Sequence, residues 1–154
     1  MSEDQEYEQF TKMMEERFPK MFSSPYGGFA VGAGWYPILE TLCDNIQSHI
    51  DWEQKTADQC AKLNKPIPEV AAQVVVAQIK EKFGGLRFYY DGGDDYIRGL
   101  VSMAESWADR ACETCGGAGK KRNGGWIRTL CDLHEEELQE RKRTQEMKVS
   151  GLEE

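Results

Sequence analysis

The sequence predicts a single α+β domain, with two or three core helices packed on a small β-sheet and a treble-clef-like zinc-binding segment closing the C-terminal third. Three observations predict it. Helix-like and strand-like periodicities alternate through the middle of the chain. At 154 residues the chain is long enough for one domain with a real core and short for two. The stretch from Cys112 to His134 reads Cys-x2-Cys, fifteen residues, Cys-x2-His, two ligand pairs that can close around one metal ion. The expected organisation is an N-terminal amphipathic helix over 1–22, an α+β core over 23–138 that includes the metal site at 112–134, and a charged helix end with a frayed tail over 139–154.

Residues 3–21 predict the first helix. Phe10, Met13, Met14, Phe18 and Met21 recur at spacings of three and four among acidic neighbours. That stripe either packs on the chain's own core or offers a docking face to a partner helix. Pro19 weakens the helix's C-terminal end. Residues 23–34, SSPYGGFAVGAG, form a glycine-rich connection. It lacks the Lys-Ser/Thr ending of a P-loop and the spacing of a dinucleotide fingerprint, so it reads as a turn that brings Tyr26 and Phe29 onto the core. Whether 27–34 lines a ligand pocket is left open by the residues.

Trp35-Tyr36-Pro37 opens a core helix, since proline suits a first helical turn. Ile38, Leu39, Leu42, Cys43, Ile46 and Ile50 mark its buried face as far as about Trp52. His49 lies near that face with no acidic or nucleophilic partner at a telling spacing, which makes it structural or solvent-facing. Residues 53–68 are polar and end in two prolines, a boundary. Val74-Val75-Val76 through Ile79 reads as a strand, although Ala71, Ala72 and Ala77 leave a helix open. A turn at Gly84-Gly85 then leads to Leu86, Phe88 and Tyr90 alternating with Arg87 and Tyr89, a half-buried strand. Asp94 or Asp95 caps the next helix, with Ile97, Leu100, Val101, Ala104, Trp107, Ala108 and Ala111 on one stripe.

That helix delivers the chain to Cys112. Gly116 and Gly117 follow the first ligand pair and let the backbone fold under a metal, a zinc knuckle. Asn123-Gly124 predicts a type I′ hairpin turn, with Trp126 to Thr129 as the returning strand. Cys131 and His134 then fall in the first turn of the charged helix DLHEEELQERKR. One structural Zn²⁺ held by Cys112, Cys115, Cys131 and His134 is the expected cofactor. Four protein ligands leave no open position for a reacting water.

Composition excludes several classes. Hydrophobic residues at 40% describe a globular chain rather than a disordered one. No run approaches a membrane span, and the acidic start MSEDQEYEQF is no signal peptide. The net charge of −8 argues against nucleic-acid binding by bulk electrostatics. A local basic patch remains, because Lys120, Lys121, Arg122 and Arg128 face only Glu113 in sequence, and Trp126 among them can stack on a base. No nucleophile motif or paired-carboxylate signature is present, and the hairpin has no histidine for nuclease chemistry, so no enzyme activity is expected.

Four pieces, GWYPILETLC, QIKEKFGGLRFYYDGG, AESWADRACETCG and GWIRTLCDLH, span roughly residues 28–138. In that order they resemble a family of small uncharacterised proteins encoded by tailed bacteriophages and prophages. The family often has cysteine where this chain has His134. The resemblance implies a phage accessory protein working in the bacterial host cytoplasm, and it supplies no catalytic residue. The expected function is therefore binding of a host protein or complex as an inhibitor or adaptor, with Arg87 and Tyr89 as candidate interaction surface. The alternatives are nucleic-acid binding through Lys120, Lys121, Arg122, Trp126 and Arg128, or sequestration of a small nucleotide.

Overall fold

The computed structural model describes residues 1–151. Its elements are α1 (Glu3–Arg17), β1 (Phe29–Ala30), a 3₁₀ turn (Ala33–Trp35), α2 (Tyr36–Lys62), β2 (Ala72–Lys82), β3 (Gly85–Gly93), α3 (Asp95–Ala108), β4 (Lys120–Arg122), β5 (Arg128–Leu130) and α4 (Asp132–Val149). The sheet order is β1-β2-β3, with β1 parallel and β3 antiparallel to β2, and β4-β5 form a separate two-stranded hairpin. The α+β class and the single core hold.

Helix α1 begins at a capping box in which Ser2 and Gln5 exchange backbone and side-chain hydrogen bonds. Its apolar stripe is spent inward. Phe10 stacks on Tyr36 with ring centroids 3.9 Å apart, and Met14, Phe18 and Met21 are buried in the same cluster as Phe29 and Leu39. The Met and Phe face is thus core rather than a docking face. Past α1, the Met21 carbonyl accepts the Val76 N–H at 2.8 Å, so the chain after Pro19 helps cover the edge of β2 that β1 also pairs.

Helix α2 runs ten residues past the expected end near Trp52. Local bonds extend it: Thr56 Oγ1 donates to the Trp52 carbonyl at 2.9 Å and Gln54 to Asp58 at 3.0 Å, while Ala57 is buried. Glu, Gln and Lys are strong helix formers without an apolar stripe. The helix stops where Asn64 turns left-handed at φ 52°, before the prolines.

Residues 72–82 form a strand, which decides the open choice between helix and strand; Val74, Val76 and Ile79 are fully buried against the helices. In β3, Leu86 and Phe88 point into the core, while Tyr89 is exposed and Arg87 partly so. The turn between them sits one residue earlier than expected. Lys82 pairs with Gly85, and the two intervening residues, Phe83 and Gly84, have φ 54° and 76°, the left-handed pair of a type I′ turn.

Asp94 caps α3 by accepting the Ile97 N–H at 2.9 Å, and Ile97, Val101, Ala104 and Ala108 pack inward. Trp107 departs from the expected stripe and is half exposed. The expected type I′ turn at Asn123-Gly124 does not form either. Arg122 pairs with Arg128, leaving a five-residue loop in which Gly125 takes the positive φ. The C-terminal segment is also more ordered than expected: α4 continues to Val149, although it buries no side chain. Its Glu, Gln, Lys and Arg composition favours helix without packing, and residues 152–154 of the expected frayed tail lie outside the described residues.

Candidate metal centre

The four sequence-predicted ligands come together. Cys112 Sγ lies 3.6 Å from His134 Nδ1, Cys115 Sγ 3.9 Å from Cys131 Sγ, and Cys131 Sγ 3.1 Å from His134 Nδ1. All four donor atoms lie within 4.8 Å of one another. With metal–sulfur bonds of about 2.3 Å and metal–nitrogen bonds of about 2.0 Å, tetrahedral edges measure about 3.8 Å between sulfurs and about 3.5 Å from sulfur to nitrogen. The donor set fits a metal ion of that size.

Local backbone chemistry explains the convergence. The Gly116 N–H donates to the Cys112 carbonyl and the Cys112 N–H to the Gly117 carbonyl, both at 2.7 Å, a tight loop that needs Gly116 at φ 79°. The Gly117 N–H then faces Cys115 Sγ at 3.4 Å. Cys131 is the N-cap of α4, and its sulfur accepts the His134 N–H at 3.5 Å. On its far side the imidazole Nε2 lies 3.9 Å from the Glu137 carboxylate.

Burial raises the Cys112 thiol, but the backbone N–H groups of Cys131, Cys115 and Thr114 outweigh it and bring it to about 6. Cys115 accepts the Gly117 N–H, yet burial and the neighbouring Cys112 and Cys131 sulfurs leave it above the ordinary thiol range. Three sulfurs this close hold all their negative charge only beside a cation.

The glycine-rich connection has a role its sequence did not reveal. It is the seat of the knuckle. The Gly34 N–H donates to the Glu113 carbonyl at 2.8 Å, the Gly32 N–H to the Glu113 carboxylate at 3.1 Å, and the fully buried Trp35 indole N–H to the Ala111 carbonyl at 2.9 Å. The cleft beside it is walled by Glu3, Asp4, Glu6 and Glu113, with Arg128 as the one cation among its lining residues. A nucleotide phosphate would meet repulsion there.

The chain matches no protein-family model, no curated protein and no solved structure.

The candidate nucleic-acid residues are only partly free. Lys121 pairs with Asp109 at 2.8 Å, and Arg122 is tied to the Leu130 carbonyl and to Asp132 at 2.7 Å. Arg128 faces Glu113 at 3.8 Å. Lys120 is exposed and Trp126 is 74% exposed, its indole N–H reaching Glu81 at 3.3 Å. Lys121 thus ties the hairpin to the end of α3, while Arg122 and Arg128 are held by partners within the Cys112–His134 segment itself. Arg87 stands directly opposite Lys80 on β2, and Lys80 lies over the Tyr89 ring at 5.7 Å. Like charges in a cross-strand pair are unfavourable, and Glu105, whose carboxylate Arg87 helps to stabilise, offsets part of that charge.

Sequence reasoning missed two features. One is the meeting of hairpin tips. Thr129 Oγ1 donates to the Gly84 carbonyl at 2.6 Å in a buried contact, which sets Phe83 and Trp126 along one exposed cleft. The other is His49, expected to have no acidic partner. Its Nε2 lies 2.9 Å from Asp94 and 3.3 Å from Glu53. Burial raises the Asp94 carboxyl, but the hydrogen bonds from His49 and the Ile97 N–H outweigh it and hold the group below its usual range. The i,i+4 spacing of His49 and Glu53 was readable in sequence; the approach of Asp94 was not.

Proposed function

We propose that this chain is a non-enzymatic, zinc-braced binding protein: a phage accessory protein that acts on a host protein in the bacterial cytoplasm. The closed donor set is the observation that supports it. Cys112, Cys115, Cys131 and His134 bring four donor atoms within 4.8 Å of one another, enough to fill a tetrahedral shell and leave a bound metal no position at which to activate water. Three thiolates and one imidazole select zinc over harder cations. In this reading the metal supplies folding free energy, and the knuckle, hairpin β4-β5 and start of α4 make a treble-clef-like unit around it. Purified protein should contain one zinc per chain. Cobalt substitution should give the absorption of a tetrahedral thiolate site, and an octahedral cobalt spectrum would overturn the assignment.

The contact surface proposed for the host protein joins the open sheet face at Arg87 and Tyr89 to the aromatic tip at Phe83 and Trp126. Phe83 is 68% exposed while its backbone is left-handed, a conformation costing a residue with a Cβ about 1–2 kcal/mol, where Asn or Gly is the usual choice. Little burial in the free protein compensates. An exposed aromatic kept at a strained turn suits an interface anchor. Phe83→Asn is expected to stabilise the protein by about 0.5–1 kcal/mol, a rise of a few degrees in Tm, while weakening partner capture. Native mass spectrometry from host lysate checks the second half. Equal retention of a partner by the parent and by a Phe83→Asn, Trp126→Ala double variant would remove this surface from the proposal.

A further inference from the structure

The three side chains around His49 form a group separate from the thiolate site, joining two helices. His49 and Glu53 are one turn apart on α2, and Asp94 is the N-cap of α3. Each carboxylate has one oxygen anchored outside the group. Glu53 Oε2 accepts the Ala71 N–H at 2.7 Å and Asp94 Oδ1 accepts the Ile97 N–H at 2.9 Å. The other two oxygens, Glu53 Oε1 and Asp94 Oδ2, converge on the single His49 Nε2 at 3.3 and 2.9 Å. Stacking on Tyr96, with centroids 4.3 Å apart, fixes the imidazole plane.

One nitrogen carries at most one hydrogen, and two anionic oxygens compete for it. A divalent cation satisfies all three donors at once. With metal–ligand bonds of about 2.1 Å, adjacent donors of an octahedral site stand about 3.0 Å apart and those of a tetrahedral one about 3.4 Å, and both measured separations fall in or beside that range. The anchoring N–H groups do what outer-shell partners do at metal sites, holding each ligand oxygen in place. The side chains are only 16%, 21% and 30% exposed for His49, Glu53 and Asp94, so the group is sheltered yet reachable.

We propose that His49, Glu53 and Asp94 form a second metal site, selective for a borderline-to-hard divalent cation such as Mn²⁺ and distinct from the thiolate site. One imidazole and two carboxylates suit Mn²⁺, Co²⁺ or Zn²⁺. Three protein ligands leave positions for water or for an oxygen of a bound partner. An ion there would tie α2 to the start of α3 and, through Glu53 and Ala71, to the entry of β2.

Mn²⁺ is the discriminating probe, because three thiolates hold it poorly against zinc. Protein carrying one zinc per chain is titrated with Mn²⁺ by calorimetry, and bound Mn²⁺ is counted by electron paramagnetic resonance. One saturable equivalent is expected. His49→Gln and Glu53→Gln should each weaken it at least about tenfold while zinc content and circular dichroism stay at the parent's values. Asp95→Asn, whose exposed carboxylate neighbours the group and pairs with Arg98, should leave it unchanged. Absence of saturable uptake, or equal uptake by parent, His49→Gln and Glu53→Gln, would overturn the site and leave His49 as a hydrogen-bonded clamp. Should one glutamine variant lose its fold, the other alone decides between these outcomes.

Discussion

Replacing Cys112 with serine is expected to abolish tight zinc binding and to unfold the segment from Cys112 through α4 while α1, α2, α3 and the three-stranded sheet stay folded. The asymmetry follows from where apolar burial lies. The central core gathers Trp35, Leu39, Ile46, Val76, Ile79, Leu86 and Ile97. In the segment from Cys112 onward, Cys112, Glu113, Thr129 and Leu130 are buried, but β4 and β5 are three residues each and α4 buries no side chain. So little burial cannot offset an ordering cost of roughly 1–2 kcal/mol per residue. Zinc binding in small sites is worth on the order of 10 kcal/mol, and that free energy is folding free energy. Hydrogen exchange reads the result directly. Amides of β4, β5 and the first turns of α4 should lose protection in Cys112→Ser and in chelator-treated parent, while β2 and β3 keep theirs. Protection of β4 and β5 unchanged by chelation would sink the structural-zinc assignment.

The cluster of Cys112, Cys115, Cys131 and His134 was legible in the sequence because its signal is short-range. Cys-x2-Cys with Gly116 fixes a loop, and Cys-x2-His with an acidic, charged continuation fixes a helix start; each pair is complete within a few residues. The same held for Asp94 as a cap, for the apolar stripe of α1, and for the alternation in β3. Features that depend on distant segments did not show. Gly32 and Gly34 looked like turn residues because their reason for being glycine, the backbone of residues 112–116, lies some eighty positions away. Asn123-Gly124 gave a strong turn signal, but pairing of Arg122 with Arg128 opened a longer loop, and the left-handed pair fell instead at Phe83-Gly84. Residues 53–62 carry no apolar stripe, so the buried face of α2 reads only as far as about Trp52, although good helix formers and local side-chain bonds suffice to extend the helix. His49 was read alone because Asp94 reaches it only through the packing of α3 against α2.

Gly34→Ala should be strongly disruptive for a single added methyl, and it tests whether the glycine-rich connection seats the knuckle. A Cβ at Gly34 would overlap the Cys112 carbonyl oxygen and stand 2.6 Å from both the Glu113 carbonyl oxygen and the Gly116 nitrogen. All three are backbone atoms of the loop that presents two ligands, so no flexible side chain can swing aside. Relief requires the knuckle to lift, which also strains the Gly34 N–H to Glu113 and Trp35 indole to Ala111 hydrogen bonds. Overpacking of this kind costs about 1–3 kcal/mol. Because the displaced atoms belong to the ligand loop, zinc affinity should fall as well, by about tenfold for each 1.4 kcal/mol of the cost that falls on the bound state. The comparison is Gly99→Ala in α3, where an added Cβ meets nothing within 4 Å. There the same methyl removes backbone freedom from a helix interior and should stabilise by about 0.5–1 kcal/mol. Urea unfolding of both variants, with zinc affinity measured by competition against a chromophoric chelator, should move them in opposite directions. A Gly34→Ala protein with the parent's midpoint and the parent's zinc affinity would mean that the knuckle does not rest on the 3₁₀ turn, and would detach the metal site from the N-terminal half of the fold.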